Sequence, residues 1–370
     1  VSGISIDENN KKSVDKYKVG IQIMNAKKDE ESDSSLITFY EASGKTIYDA
    51  LEKIMLDSPK ELYLGHNEVV VISEDLLKKE NPLNYLDYFM RDPESEKDAV
   101  VMVSKEKDAS SILKVITPLE TLPSKNLRST LSVADNFSGI LTLVTIDEFI
   151  SDLSNPKVEA IIPSVKIEGK VNKGEKMDNI KESDPNTKLT FDTLGYFKNN
   201  KLKGYLSTNE SVGYNFLANL PKESYVNVKC DDKNYATIRI SNNNFKEKFY
   251  YDNKKPVVNV KIKVNADLLE YNCNTDFLND KKVIKKLESK AKARINKLMS
   301  ETTNKLYKKD KADALKYAEK FYLKKYSETK KIGYKNKDIL DKITFKFNTN
   351  VQIKSTELSI KSVRKENGYE

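Results

Sequence analysis

The chain has 370 residues, too many for one ordinary domain of about 100–150 residues, so two or three domains are expected. Hydrophobic residues make up 38% and charged residues 32%, with 20 Tyr and 13 Phe, which is polar for a globular chain yet rich enough to build cores. One His rules out a His-based zinc cage, 12 Gly are few for a nucleotide-binding enzyme of this size, and no stretch reaches the ~18–20 apolar residues of a membrane-spanning helix.

The net charge of +8 is unevenly spread. Lys281–Lys335 carries 19 Lys and Arg against 6 Asp and Glu, which leaves the rest of the chain net acidic. A segment this basic docks on nucleic acid or anionic headgroups, or is simply a solvated helix face. Cys230 and Cys273 stand 43 positions apart and fit no zinc or redox motif. A disulfide and two separate thiols both stay open. Val1–Asp7 has no basic or apolar leader pattern, which fits a cytosolic protein or one that starts after a processed leader.

Tyr17, Val19, Ile21 and Ile23 alternate with Lys18, Gly20, Gln22 and Met24, the pattern of a half-buried strand. Ile47, Ala50, Leu51 and Ile54 fall on one helix face, and Pro59 ends that helix. Glu68–Ser73, with the apolar run Val69–Ile72, reads as a strand buried on both sides. Asn81-Pro82 starts a helix that runs to about Met90. Ala99–Ser104 is another apolar strand. Helices are expected from Asp108 to Ile116 and from Ser124 to about Phe137. Thr145-Ile146-Asp147-Glu148 is a capping box.

Glu168–Lys188 is poor in apolar residues and reads as a long exposed loop or hinge, where the main boundary is placed. Beyond it, Leu189–Phe197 and Lys201–Leu206 are strands joined by the turn-prone pair Asn199-Asn200. Glu210–Leu220 suits a helix. Tyr225–Lys229, Tyr235–Ile240 and Lys246–Tyr251 are short strands, and Pro256 marks a second joint. Val258, Val260, Ile262 and Val264 then alternate with polar residues. Leu287, Ala291, Ile295, Leu298 and Thr302 follow at helical steps. Ala314, Leu315, Ala318, Phe321 and Tyr322 mark a further helix that ends before Gly333. Ile343, Phe345, Phe347, Thr349, Val351 and Ile353 form a last strand, with Leu358 and Ile360 continuing it or pairing back. The expected architecture is α+β. It has three mixed segments: 1–182, a small middle sheet at 188–255, and 256–370 with two basic helices on an antiparallel-leaning sheet.

Chemical motifs are sparse. The chain has no phosphate-binding G-x-x-x-x-G-K-[ST], no G-x-G-x-x-G and no G-x-S-x-G nucleophile elbow. His66, in Leu64-Gly65-His66-Asn67, has the chemistry of a general base or pH switch. Without a nucleophile motif it reads first as a turn residue bonded to local backbone. Arg91 and Asp92 close a helix and read first as a local charge cluster rather than an anion anchor. Gly195, Gly204 and Gly213 lie near strand ends or turns, where a positive φ is the first explanation. Tyr317, Phe321, Tyr322 and Tyr326 stand among lysines. Phe321 and Tyr322 belong to the apolar stripe, so core packing comes before nucleic-acid stacking. No cofactor, metal or nucleic-acid partner is expected.

Together these motifs resemble the Ger(x)C family, the C subunit of spore germinant receptors. Gly3-Ile4-Ser5-Ile6-Asp7 resembles the family's opening, with Ser5 in place of its second Gly. Leu64 to Glu74 is similar to its helix-to-strand motif, and Leu86-Asp87-Tyr88-Phe89-Met90-Arg91-Asp92 follows at the family's spacing. Gly195-Tyr196-Phe197, Leu202-Lys203-Gly204 and Glu210-Ser211-Val212-Gly213 resemble the opening of its C-terminal half. Two features depart from the family. Lys309-Asp310-Lys311-Ala312 replaces an acidic-Pro-aromatic-Gly segment, and Trp is absent. The lipobox Cys is also missing, as expected if the chain begins downstream of it.

The resemblance implies three mixed α+β domains and a lipoprotein on the outer face of the spore inner membrane. Its partners would be the integral-membrane A and B subunits, and no catalytic residue carries over. The basic segment would then face anionic lipid or an acidic partner. The alternative reading is an extracytoplasmic solute-binding lipoprotein, which needs a cleft with convergent polar groups. A hydrolase acting on the spore cortex would need paired carboxylates in a groove.

Overall fold

The structure is a computed structural model and describes residues 1–9, 13–25, 37–218, 223–230, 233–273, 281–333 and 339–355. The chain divides into two compact units, Val1–Val133 with Leu141–Ser207, and Ala134–Ile140 with Thr208–Glu370.

The first unit is built on an eight-stranded sheet. Its strands are β1 (Gly3–Glu8), β2 (Tyr17–Met24), β3 (Ile37–Gly44), β4 (Val69–Ser73), β5 (Val100–Ser104), β6 (Ile161–Gly169), β7 (Thr187–Lys198) and β8 (Lys201–Tyr205), in the order β3-β2-β1-β4-β5-β6-β7-β8. Strands β1, β4, β5 and β6 run parallel at the centre, and antiparallel pairs flank them on both sides. Every residue of β4 and β5 is buried, as a strand covered on both faces requires.

One sheet face carries Ile4, Ile6, Val70, Ile72, Val101 and Val103. These pack with Leu51 and Ile54 of α1 (Ile47–Asp57), Leu77 of α2 (Glu74–Lys79), Leu86 and Phe89 of α3 (Leu83–Arg91) and Phe149 of α5 (Ile146–Ser154). A 3₁₀ turn at Ala109–Lys114 and α4 (Pro123–Phe137) bury Leu113, Leu127 and Leu131 in the same unit. Thr145 and Glu148 form the expected capping box at the start of α5.

The α+β class stands, while several local expectations change. β1, the segment of the family-like opening motif, is a central strand, and β3 has no counterpart among the expected elements. Asp108–Ile116 is a 3₁₀ turn rather than an α-helix. Glu168–Lys188 is not a hinge. It holds two short helices, α6 (Val171–Gly174) and α7 (Asp178–Lys181), tied down by the buried Asn179. The Asn179 amide donates to the carbonyls of Ile116 (2.9 Å) and Thr187 (3.0 Å) and accepts from the Thr187 N–H (3.1 Å). One buried amide with three bonds fixes a stretch whose polar composition alone looks like a linker. β7 and β8, expected in a middle segment, complete the first sheet, so the compact units part at Ser207 and not near 182–188. Asn199 and Asn200 connect them with φ of 52° and 57°, the left-handed pair a tight hairpin needs.

The second unit has the sheet order β12-β11-β10-β9, made of β9 (Ser224–Lys229), β10 (Tyr235–Asp252), β11 (Lys255–Tyr271) and β12 (Thr344–Ser355). β10 and β11 form one long antiparallel hairpin closed by Asn253-Lys254, with φ of 49° and 61°. Pro256 pairs with Tyr251 just inside that hairpin, so it marks no joint. Proline is tolerated at the start of a strand. Lys254 occupies a left-handed position that a side chain disfavours. Lys254→Gly gives the preferred Asn-Gly turn and is expected to raise stability by about 1 kcal/mol, read by urea unfolding. An unchanged or lower midpoint would contradict this.

β11 and β12 are parallel, not antiparallel, because the helices between them form a crossover. α9 (Lys281–Thr303) buries Leu287, Ala291, Ile295, Leu298 and Thr302, the stripe read from the sequence. A π-helical turn at Asn304–Lys309 follows. The next expected helix is divided into α10 (Tyr317–Lys324) and α11 (Tyr326–Ile332), which breaks at Lys325 and is capped by Gly333 at φ 84°. Cys230 and Cys273 are joined in a disulfide with Cα atoms 5.8 Å apart, within the span a bridge allows. Leu358 and Ile360 lie outside the described residues.

Candidate functional site

Two polar constellations stand out, one in each unit. In the first, Asp7 is the next-to-last residue of β1 and is buried. Its Oδ1 accepts the Ala109 N–H at 2.7 Å, while Oδ2 has no hydrogen-bond partner. Burial pushes its carboxyl up to about 6, aided by the charge of Asp108 and opposed by the Ala109 N–H and Lys18. Beside it Glu41 pairs with Lys18 at 2.6 Å and Lys114 at 3.6 Å. Burial alone would raise the Glu41 carboxyl, but these two cations hold it below the ordinary range.

In the second unit, α8 (Thr208–Ala218) crosses α9 at Gly213. A Cβ on Gly213 would lie 2.3 Å from both the Leu298 carbonyl oxygen and Thr302 Oγ1. The Thr302 hydroxyl donates to the Glu210 carbonyl at 2.7 Å, and Arg294 donates to Asn209 Oδ1 at 2.7 Å. The Glu210-Ser211-Val212-Gly213 motif is therefore a helix-crossing device, which sets where α9 lies beside β9. Between them lies a groove of about 580 Å³, lined by Asn227, Val228, Lys229, Tyr235, Lys290, Ala293, Arg294 and Lys297.

Beyond α9, Asp313 is 3% exposed and its Oδ1 accepts the Tyr307 hydroxyl at 2.5 Å. Its Oδ2 takes the N–H groups of Ala318 (2.9 Å) and Glu319 (3.1 Å) at the start of α10. Burial nevertheless pushes its carboxyl up to about 6. Tyr317 and Phe321, weighed above as base-stacking residues, are core. Their rings pack with Phe249, Tyr307 and Phe345.

The remaining expected site residues are dispersed. Gly65 and His66 sit in a turn closed by the Asn67 N–H on the Leu64 carbonyl (3.1 Å), and the exposed His66 ring stands edge-on to Tyr63 at 5.4 Å. Arg91 is exposed and pairs with Asp87 one helical turn back. Asp92 caps α3, and its carboxylate accepts the Ser95 hydroxyl (2.6 Å), the Glu94 N–H (3.1 Å) and the Tyr88 hydroxyl (3.2 Å). Gly195 and Gly204 lie within β7 and β8, and the positive-φ explanation fails for both and for Gly213. What they share is a crowded neighbour. A Cβ on Gly195 would meet Leu202 at 3.0 Å, and one on Gly204 would meet the Tyr196 hydroxyl at 3.2 Å. Among the described residues, no cluster of His, Cys, Asp or Glu side chains could hold a metal ion. No described helix is long and apolar enough to cross a membrane.

The cationic groove escaped the sequence reading, because its lining comes from strand and helix segments far apart in the chain. The net basic charge of 281–335 was the only signal toward it.

Residues 1–167 match the family model of the spore germination protein N-terminal domain, and residues 192–357 match that of the spore germination B3/GerAC-like C-terminal domain. Spore germination protein KC of Bacillus subtilis (strain 168) is 28% identical over 353 residues, covering 92% of this chain and 84% of that protein. Spore germination protein B3 of the same organism is 23% identical over 316 residues, covering 84% and 78%. The crystal structure of the GerBC protein shares the fold, with a TM-score of 0.60 at 18% identity over 95% of this chain and 98% of that one. With both family domains present in order along nearly its whole length, the chain belongs to the spore germination GerAC family and is a spore germination protein.

Proposed function

We propose that the protein is the C subunit of a nutrient germinant receptor, a non-catalytic scaffold and signal-coupling component. Its partners are the integral-membrane A and B subunits. A lipid anchor on a Cys preceding Val1 holds it on the outer face of the spore inner membrane. The observation that carries this reading is the ordered match of both germination-family domains across the chain. Differential contacts with the other subunits then shift the receptor between resting and triggered states.

Crosslinking in dormant spore membranes tests the reading. Recovery with the two integral-membrane subunits is expected, and recovery with soluble proteins alone would refute it.

The basic helices support contact with an anionic surface. Lys281, Lys282, Lys285 and Lys286 are exposed on the first turns of α9, which has no acidic residue there. Cations at a helix N-terminus oppose its dipole, so their grouping favours an external anionic partner, with ~1 kcal/mol for each Lys near a headgroup layer. Co-sedimentation with anionic vesicles should exceed that with neutral ones at low salt, and replacing these four lysines by Ser should remove the difference. Equal binding to both vesicle types would end this reading.

A further inference from the structure

We propose that the groove between β9 and α9 binds an extended acidic polypeptide segment of a partner protein, which adds to β9 as a fifth strand of the second sheet. This stands whether or not the chain works in a receptor complex. β9 is the edge strand of that sheet. The Cys230 N–H donates to the Asn234 carbonyl at 2.9 Å, so the pairs with β10 that exchange hydrogen bonds fall at Cys230, Val228, Val226 and Ser224. By the alternation of antiparallel pairing, Tyr225, Asn227 and Lys229 turn their N–H and C=O groups away from β10. On that side the Lys290 ammonium donates to the Lys229 carbonyl (2.5 Å), and it also reaches the carbonyl of Cys230 (2.8 Å), just past the end of the strand. Among the described residues, the outward main-chain groups of Tyr225 and Asn227 meet no protein partner.

Folded proteins usually cover or blunt such an edge. Here it opens into the groove, whose other wall is one face of α9, formed by Lys290, Ala293, Arg294 and Lys297 at steps of three, one and three. An edge strand facing a helix across a groove is the arrangement in which extended peptides bind by main-chain pairing. Ala293 leaves room for the added chain. The charge of the lining selects its chemistry: Lys229, Lys290, Arg294 and Lys297 contribute four cations and the lining contains no carboxylate. Arg294 is held by the neutral Asn209, and the Glu301 carboxylate lies 3.9 Å from Lys297. An incoming strand would take over the Lys229 carbonyl and free Lys290 to meet an acidic side chain. A lipid headgroup would engage the cations but leave the strand edge unused, so the peptide is favoured.

A fluorescein-labelled decapeptide of alternating Glu and Val, added to the full-length chain, tests the proposal by fluorescence anisotropy and hydrogen exchange. Binding is expected, with slowed amide exchange in the β9 segment. Arg294→Glu and Lys297→Glu should each weaken it by roughly tenfold, and their circular dichroism melts will show that both variants remain folded. The same peptide with Pro at alternate positions should not bind, because it lacks the N–H groups for strand pairing. Absence of binding, equal binding of the Pro peptide, or protection away from β9 would overturn the proposal. So would anionic vesicles that bind in place of the peptide and lose that binding in Arg294→Glu.

Discussion

Replacing Gly213 by Ala is expected to lower the stability of the second unit by about 2 kcal/mol, and replacing it by Val should lower it further. Two effects oppose each other. Ala is the better helix former by ~1 kcal/mol, so on an exposed helix the change would stabilise. At this crossing the added Cβ would sit 2.3 Å from the Leu298 carbonyl oxygen and from Thr302 Oγ1. One of these is backbone and cannot step aside, so α8 and α9 must separate. Separation also lengthens the bond from Thr302 to the Glu210 carbonyl, worth ~1 kcal/mol. Overpacking therefore wins. For a unit of this size the loss corresponds to a fall in Tm of roughly 4–8 °C, read by far-UV circular dichroism. Because α9 forms one wall of the groove, Gly213→Ala should also weaken the Glu-Val peptide. A neutral or stabilising result would show that the helices do not meet as closely as described.

Asp313 is the second position with a large expected effect. Its carboxylate joins the Tyr307 hydroxyl to the first N–H groups of α10, and both Tyr307 and Asp313 are buried. Asp313→Ala would orphan a buried hydroxyl and remove the cap of α10. A loss on the order of 3 kcal/mol is expected, or roughly 6–12 °C in Tm.

The same carboxyl gives a pH signature. Its pKa in the fold is about 6, above its ordinary value of 3.8, because burial outweighs the hydrogen bonds donated to it. The folded state therefore holds this proton to higher pH than the unfolded chain does. The group's contribution is complete below about pH 4 and is lost as pH rises through 6, by roughly 3 kcal/mol in all. Asp7 shifts in the same direction in the first unit. Asp341, held low chiefly by its bond to Lys311, acts the other way and loses its contribution as pH falls below the ordinary carboxylate range. The Tm advantage of the wild-type chain over Asp313→Asn should accordingly be larger at pH 5 than at pH 7.5. An advantage that stays constant or grows with pH would contradict the assignment.

Much of the local structure was legible in the residues themselves. The valine runs of β4 and β5, the alternation of β11, the stripe of α9 and the Thr145–Glu148 capping box each depend on side chains a few positions apart, so their periods survive in a linear reading. The order of germination-family motifs was legible for the same reason. In β1, Ile4 and Ile6 alternate with Gly3, Ser5 and Asp7, but what makes this segment a central strand is its pairing with β2 and β4 on either side. The 168–188 stretch looked like a linker because its fixing contact is a single buried amide, Asn179, reaching residues on either side of it in sequence. Gly195, Gly204 and Gly213 could be located in the sequence but not explained. Their reason is a neighbour's carbonyl, ring or methyl group rather than their own backbone angles.

Periodicity thus determined which residues turn inward and where helices and strands run, since burial repeats with the geometry of each element. Only the tertiary structure decided what covers those faces, where the two compact units part, and that an edge strand lies opposite a row of cations. Those outcomes depend on groups that meet in space while lying far apart along the chain.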